Sequence, residues 1–242
     1  MKLTKGTIDF LDNFAGINSS ILVSTGNLLR TIATTKSILA DVETSDTFPV
    51  DFGIYDLEEF LGVVSLFDGP DFEFKKDFVV ISGDGMKVTY RYGDPTAIIT
   101  PNCDYREKME TVGEFVASEF VLPNSVLASI KKTASVIKVS DIVFKSSGKN
   151  SVDVMLVDKK DPSSNSAVIK LKTINEIAKA FEAHIKVEFL KFYQKDGVDY
   201  NISVAGTDRP CILKLNNDKL NLTYWVATEI TSSYPSAAEE SK

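Results

Sequence analysis

Histidine occurs once in this sequence of 242 residues, cysteine twice and tryptophan once. Basic charge is also scarce: 27 Lys and Arg stand against 34 Asp and Glu, a net −7. With one histidine, His184, a Ser-His or Cys-His pair would have to be built around it, yet no nucleophile motif accompanies it. His184 alternates with Lys186 in a predicted strand, which reads as a structural or surface position. Cys103 and Cys211 are far apart with no companion at metal or redox spacing, so they read as two unpaired thiols of a reducing compartment. No apolar run nears the roughly 20 residues of a membrane span. The opening MKLTKGTIDFLDNFAGIN interrupts its apolar positions with Thr4, Asp9 and Asp12, unlike a signal peptide. The expectation is a cytoplasmic protein without membrane partner, cofactor or metal.

What is present is enough for real cores, at 43% hydrophobic residues. The charge is unevenly divided. Residues 1–110 carry 10 Lys and Arg against 18 Asp and Glu, whereas residues 111–242 carry 17 against 16. An acidic chain suits simple electrostatic DNA binding poorly, because affinity of that kind comes from displacing counterions with a basic surface. If DNA is a partner, most of the affinity has to come from elsewhere.

Hydrophobic rhythm predicts a helix over residues 4–17 with Thr4 as N-cap, and a second beginning at Asp56 with Leu57, Phe60, Leu61 and Val64 on one face. Between them Ser20–Ser24, Leu28–Ala33, Ser37–Glu43 and Phe48–Tyr55 read as strands. Asp71–Phe74, Phe78–Ser82 and Met86–Tyr92 follow, the last two joined by the hairpin signal Gly83-Asp84-Gly85. A polar crossing around residues 99–112 is the linker candidate. Beyond it come a strand over Gly113–Val121, a helix over Pro123–Ile137, strands at Asp141–Lys145, Val152–Asp158 and Ala167–Lys172, and a stretch Ile174–Ala180 that fits a short helix or a loop. From Phe181 the pattern predicts a strand, a short helix over Glu188–Lys195, and three antiparallel strands. The tail Thr231–Lys242 reads as disordered.

The halves echo each other. Phe78–Ile81 and Val88–Tyr92 correspond to Cys211–Lys214 and Leu222–Val226 at an offset of 133 to 134 residues. The fold class is therefore α+β, with two similar domains, 1–110 and 111–230, each placing two helices on antiparallel sheets. No site chemistry stands out. Gly83-Asp84-Gly85 lacks the context and lysine of a phosphate loop, and Glu58 and Glu59, beside Asp56, read as a solvated helix face. Lys131 and Lys132 lie mid-helix, Lys191 and Lys195 stand four apart on the predicted short helix, and Lys5 opens the first. Ordinary solubility is the plain reading of each, and a shared basic surface the functional one.

Several strings resemble the sliding clamps of DNA replication, most closely the trimeric clamps of T-even-type bacteriophages. MKLTKGTIDFLDNFAGINSSILVSTGN is similar to their first helix and strand, and IYDLEEFLGVVSLF to their second helix. LKFYQKDGVDYNISVAGTDRPCILKLNNDKLNLTYWVAT resembles the last helix and hairpins of proliferating-cell nuclear antigen. The resemblance implies the DNA clamp fold: a homotrimeric ring whose twelve helices line a channel around double-stranded DNA, with no catalytic residues. It implies pore contacts at Lys5, Lys131, Lys132, Lys191 and Lys195, with Lys2 and Lys138 as outliers. Asp9, Asp12, Glu58 and Glu59 depart from the family's basic helices, which shifts the expected DNA contact to the second domain. The resemblance further implies a pocket for a replicative DNA polymerase peptide at Ile32, Leu39, Pro210, Trp225, Val226 and Ala227. The other reading of Leu39 and Trp225 is plain core. Ring closure would join an edge strand with Met86, Val88, Tyr90 and Tyr92 to one with Val168, Lys170 and Lys172. Loading would fall to a separate ATP-dependent clamp loader, in the host cytoplasm if the source is viral. The competing reading is a virion or scaffold protein with a duplicated β-rich domain and no role on DNA.

Overall fold

The computed structural model describes residues 1–101, 116–148, 151–173 and 179–235. The chain divides into two compact units, residues 1–102 with 219–222, and residues 103–218 with 223–242. Most of the predicted linker, the start of the Gly113–Val121 strand, residues 174–178 of the helix-or-loop stretch, and residues 236–242 of the tail lie outside the described residues.

In the first unit α1 (Lys5–Ala15) buries Thr7, Phe10, Leu11 and Phe14, and α2 (Leu57–Val64) buries Leu57, Phe60 and Val64. This is the three-to-four spacing of one apolar stripe, and the two helices pack together. Each large apolar side chain so covered contributes about 2 kcal/mol. Both starts are capped as the sequence predicts. The Thr4 hydroxyl accepts from Thr7 N and the Asp56 carboxylate from Glu59 N. Asp46 in turn fixes Thr4, accepting from its N–H at 2.7 Å and its hydroxyl at 2.8 Å.

Strands β1 (Ile21–Val23) and β4 (Phe52–Ile54) pair, as do β2 (Gly26–Ile32) and β3 (Ile38–Phe48). The expected run Phe48–Tyr55 is thus two pieces, with Phe48 ending β3 and β4 opening at Phe52 after Pro49. A three-stranded sheet follows in the order β5 (Asp71–Phe74), β6 (Phe78–Gly83), β7 (Met86–Arg91). Asp84 at φ 49° and Gly85 at φ 79° form the two-residue turn that the twist of a β6–β7 hairpin favours. On the other side of the sheet Met1 pairs with Phe72 of β5 through two backbone hydrogen bonds of 2.7 Å.

In the second unit α3 (Asn124–Ile137) buries Leu127, Ile130 and Ala134. Pro123 stands one place outside the helix, and the cap comes from afar, with Asp199 Oδ1 accepting from Asn124 N at 2.8 Å. A four-stranded sheet runs in the order β11 (Ala167–Lys172), β10 (Ser151–Val157), β9 (Asp141–Ser146), β12 (Phe181–Lys186). A further sheet runs through β8 (Val116–Leu122), β13 (Tyr200–Ala205), β14 (Ile212–Asn217) and β15 (Leu222–Ala227), so the predicted strand trio near the C-terminus is present.

Two expectations fail here. The tail is ordered as far as Pro235: Ser233 exchanges two 2.9 Å backbone bonds with Glu182 of β12, Glu229 N donates to His184 O, and the Ser232 hydroxyl accepts from His184 N. Polar composition hid this because the contacts are made by backbone groups and one hydroxyl, and need no apolar pattern. The helix over Glu188–Lys195 is likewise absent: a single 3-10 turn, Val187–Phe189, gives way to irregular chain. The Tyr193 N–H donates to the Tyr224 hydroxyl at 3.0 Å, and its carbonyl accepts from the Tyr200 hydroxyl at 2.6 Å. Those groups are therefore taken from the helical ladder by buried side chains.

Candidate functional site

The five candidate pore lysines fall into two settings. Lys5 is exposed at the start of α1, in a unit whose two helices otherwise present Asp12, Glu58 and Glu59 to solvent. Lys132 is exposed on α3 among Ser125, Ala128, Ser129, Ser135 and Val136. Lys191 and Lys195 are also exposed, but without a helix they share no helical face, which corrects the spacing argument. The structure brings Lys131, Lys138 and Lys191 to one groove of about 380 Å³, whose wall also holds Ser135, Val139, Glu188 and Leu190. Lys138 enters it because it ends α3 in the left-handed conformation, at φ 57°.

Lys131 differs from the rest. It is half-buried, and its Nζ donates to Phe192 O at 3.1 Å. Burial, with the Lys191 charge beside it, lowers its pKa to about 8. A groove with three cations and one carboxylate can hold an anion electrostatically. It offers no nucleophile with a base beside it.

His184 is held in a different network. Its Nδ1 lies 3.2 Å from the Thr231 hydroxyl, and its Nε2 is 3.6 Å from Glu182 Oε2, long for a hydrogen bond. Burial and then Lys159 lower its pKa, against the opposing pull of Glu182. Lys186 bridges Asp141 at 2.5 Å and Glu229 at 2.9 Å, while Lys159 reaches Glu229 at 2.6 Å and Lys145 pairs with Glu182. Burial alone would raise the Asp141 carboxyl, but Lys186, Ser140 and the Lys159 N–H outweigh it and hold it below the usual range. Among the described residues no group of three or more His, Cys, Asp or Glu is placed to hold a metal ion. No helix among them is long and apolar enough to cross a membrane.

Of the expected peptide pocket, Ile32 and Leu39 are cross-strand partners buried in the first unit. In the second, Pro210, Trp225 and Val226 are buried and Ala227 is exposed. The Trp225 indole Nε1 is buried with no acceptor among the described residues. Sequence reasoning missed a second groove, of about 420 Å³, crossing β8, β13 and β14 between Glu119, Asn201, Ser203, Lys214 and Asn216. Alternation of polar residues along these strands is the signal that marks their outward face.

The residues expected at a subunit interface lie on two sheet edges. β7 has only β6 as a neighbour and β11 only β10, among the described residues. Met86 and Val168 are 42% and 54% exposed, while Val88 and Tyr90 are half-buried; Tyr92 lies one residue past β7 and is also half-buried. Tyr90 donates to Asp56 O at 3.0 Å, and burial with Glu59 nearby raises its pKa to about 12. Lys170 is exposed, and Lys172 ends β11.

A family model described as DNA polymerase processivity factor matches residues 2–100. The chain is 30% identical over 239 residues to the sliding clamp of Vibrio phage KVP40, covering 95% of this chain and 99% of that protein. The sliding clamp of Enterobacteria phage T4 is 35% identical over 104 residues, 42% of this chain and 46% of that protein. Among solved structures, proliferating cellular nuclear antigen from Entamoeba histolytica superposes with a TM-score of 0.68 at 15% identity, over 95% of this chain and 98% of that one. The A. fulgidus antigen, solved with the C-terminal region of FEN-1 bound, also gives 0.68 at 15% identity, over 96% and 98%.

Proposed function

This chain belongs to the sliding-clamp family of DNA polymerase processivity factors, and from that premise we propose that three copies close into one ring, loaded by a separate ATP-dependent clamp loader. The chain is a sliding clamp, which encircles duplex DNA and tethers the replicative polymerase. Its family is one of non-enzymatic factors, and we assign this chain no catalysis. Kinship over nearly the whole length displaces the virion or scaffold reading.

Holding by enclosure answers the charge problem: an acidic ring stays on DNA topologically, and a few lysines suffice to touch phosphates while it slides. In this reading residues 1–110 and 111–230 are the two clamp domains, and the chain works in the host cytoplasm. Lys132, Lys191 and Lys195, aided by Lys5, face the channel. Pro210 and Trp225 to Ala227 receive the polymerase peptide.

The observation that carries ring closure is the pair of open edges, β7 and β11, each with a row of backbone groups lacking a second strand. Sedimentation tests it first: a mass of three chains is expected, and a stable monomer at micromolar concentration would count against the ring. After loading, the protein should stay on nicked circular DNA and leave once the circle is linearised. Equal retention on both would sink the topological claim.

A further inference from the structure

We propose that Lys131 is a positioning residue, a tether whose ammonium holds residues 187–195 in their non-helical course and thereby sets where Lys191 and Lys195 stand. Presentation of those two lysines to DNA rests on the channel reading above; the tether itself does not.

The peptide joining Phe192 to Tyr193 shows the tether at work. In a helix Phe192 O would accept from Asp196 N and Tyr193 N would donate to Phe189 O. Here Phe192 O takes the Lys131 Nζ, Tyr193 N takes the Tyr224 hydroxyl, and Tyr193 O takes the Tyr200 hydroxyl. Three side chains from α3, β13 and β15 grip three successive backbone groups. Phe192 and Tyr193 are both buried, at 3% and 9% exposure, so the gripped peptide lies inside the fold. Two of the grips are neutral hydroxyls deep in the core. The third is a cation at the rim, in the groove that Lys138, Lys191 and Glu188 also line.

Lys131 suits a tether better than a phosphate ligand. Lys5, Lys132, Lys191 and Lys195 are exposed, whereas Lys131 is half-buried with its amine turned onto a carbonyl 61 residues away in sequence. One of the three ammonium donors is committed to that carbonyl, which fixes where the amine stands, and removing the side chain would leave the carbonyl without this partner. Lys191, meanwhile, lies on the tethered segment itself, so its position depends on the bond.

Amide hydrogen exchange on the full-length protein tests the assignment. The reporters are Lys191 N, which donates to Phe189 O, and Tyr193 N, on the Tyr224 hydroxyl. Lys131→Met should quicken both on the order of tenfold, the loss of one charge-assisted hydrogen bond, and Lys131→Arg should restore protection. Loading onto nicked circular DNA is read in parallel for Lys131→Met, Lys191→Gln and the double variant. If Lys131 acts through the segment, the double variant is no worse than the poorer single one. Unchanged exchange with additive losses on DNA would make Lys131 a direct phosphate ligand and overturn the tether. Quickened exchange with no effect of Lys191→Gln on loading would uphold the tether and refute the channel reading instead.

Discussion

Residues 57–64 and residues 187–195 occupy corresponding places in the two halves, and they are built by opposite means. α2 is a local product: Asp56 caps it, Leu57, Phe60 and Val64 recur on one face, and the ladder of backbone bonds does the rest. The second-half segment is a tertiary product, held by Lys131, Tyr200 and Tyr224 from other elements. Their solvent faces also differ, since α2 offers Glu58 and Glu59 while the other segment offers Lys191 and Lys195. A repeated architecture therefore preserves the place of an element more faithfully than its backbone or its charge. The half in which this segment is not helical is the half that carries the cations.

The sharpest way to break this contrast is to reverse charge on each side. Lys132→Glu, Lys191→Glu and Lys195→Glu together should weaken loading onto nicked circular DNA on the order of a hundredfold, whereas Lys5→Glu alone should cost about twofold. Comparable losses would mean that both halves hold DNA equally. Next in size, Tyr224→Phe leaves the Tyr193 N–H without its acceptor and should cost about 2 kcal/mol in urea unfolding. No loss there would show that the helical form is within easy reach of the second half too. Smaller again, Asp56→Ala and Asp199→Ala each remove one helix cap and should each cost about 1 kcal/mol, although only the first is adjacent in sequence to the helix it caps.

The smallest effect is one of pH. Lys131 titrates at about 8, against an ordinary value of 10.5, so the folded state binds its proton less tightly than the unfolded chain does. The cost of burying the charge is complete below pH 8 and relieved between 8 and 10.5. The Lys131 contribution to stability should therefore rise with pH across that window, by roughly 1 kcal/mol once solvent screening is allowed for, against the opposite slope that Tyr90 and Tyr92 bring above pH 10. Equilibrium unfolding at several pH values reads the rise, and Lys131→Met should abolish it.

These contrasts also explain how much was legible in the sequence. Thr4, Asp56 and the Asp84-Gly85 turn act within four residues of their own backbone, and the sequence predicts all three correctly. Strands such as Asp71–Phe74 and Ala167–Lys172 show in their patterns to the residue. The false helix at Glu188–Lys195 came from the same local logic, which cannot see a hydroxyl 31 residues downstream. The ordered tail and the Asp199 cap were hidden for the same reason. Among the candidate site residues, exposure at Lys5, Lys132, Lys191 and Lys195 agrees with a role at the surface. The half-burial of Lys131 had no signal in the sequence at all.

The hydrogen bonds of Met1 and Ser233 bear on growth as well as on order. Met1 occupies the β5 side of the three-stranded sheet, and Ser233 the β12 side of the four-stranded one. Among the described residues, each of these two sheets is left with a single vacant side, β7 in one and β11 in the other. Strand joining through these sheets then has a plug and a socket but no second choice of either. Copies coupling in that manner all point the same way around, and the chain has to terminate by meeting its own beginning or not at all.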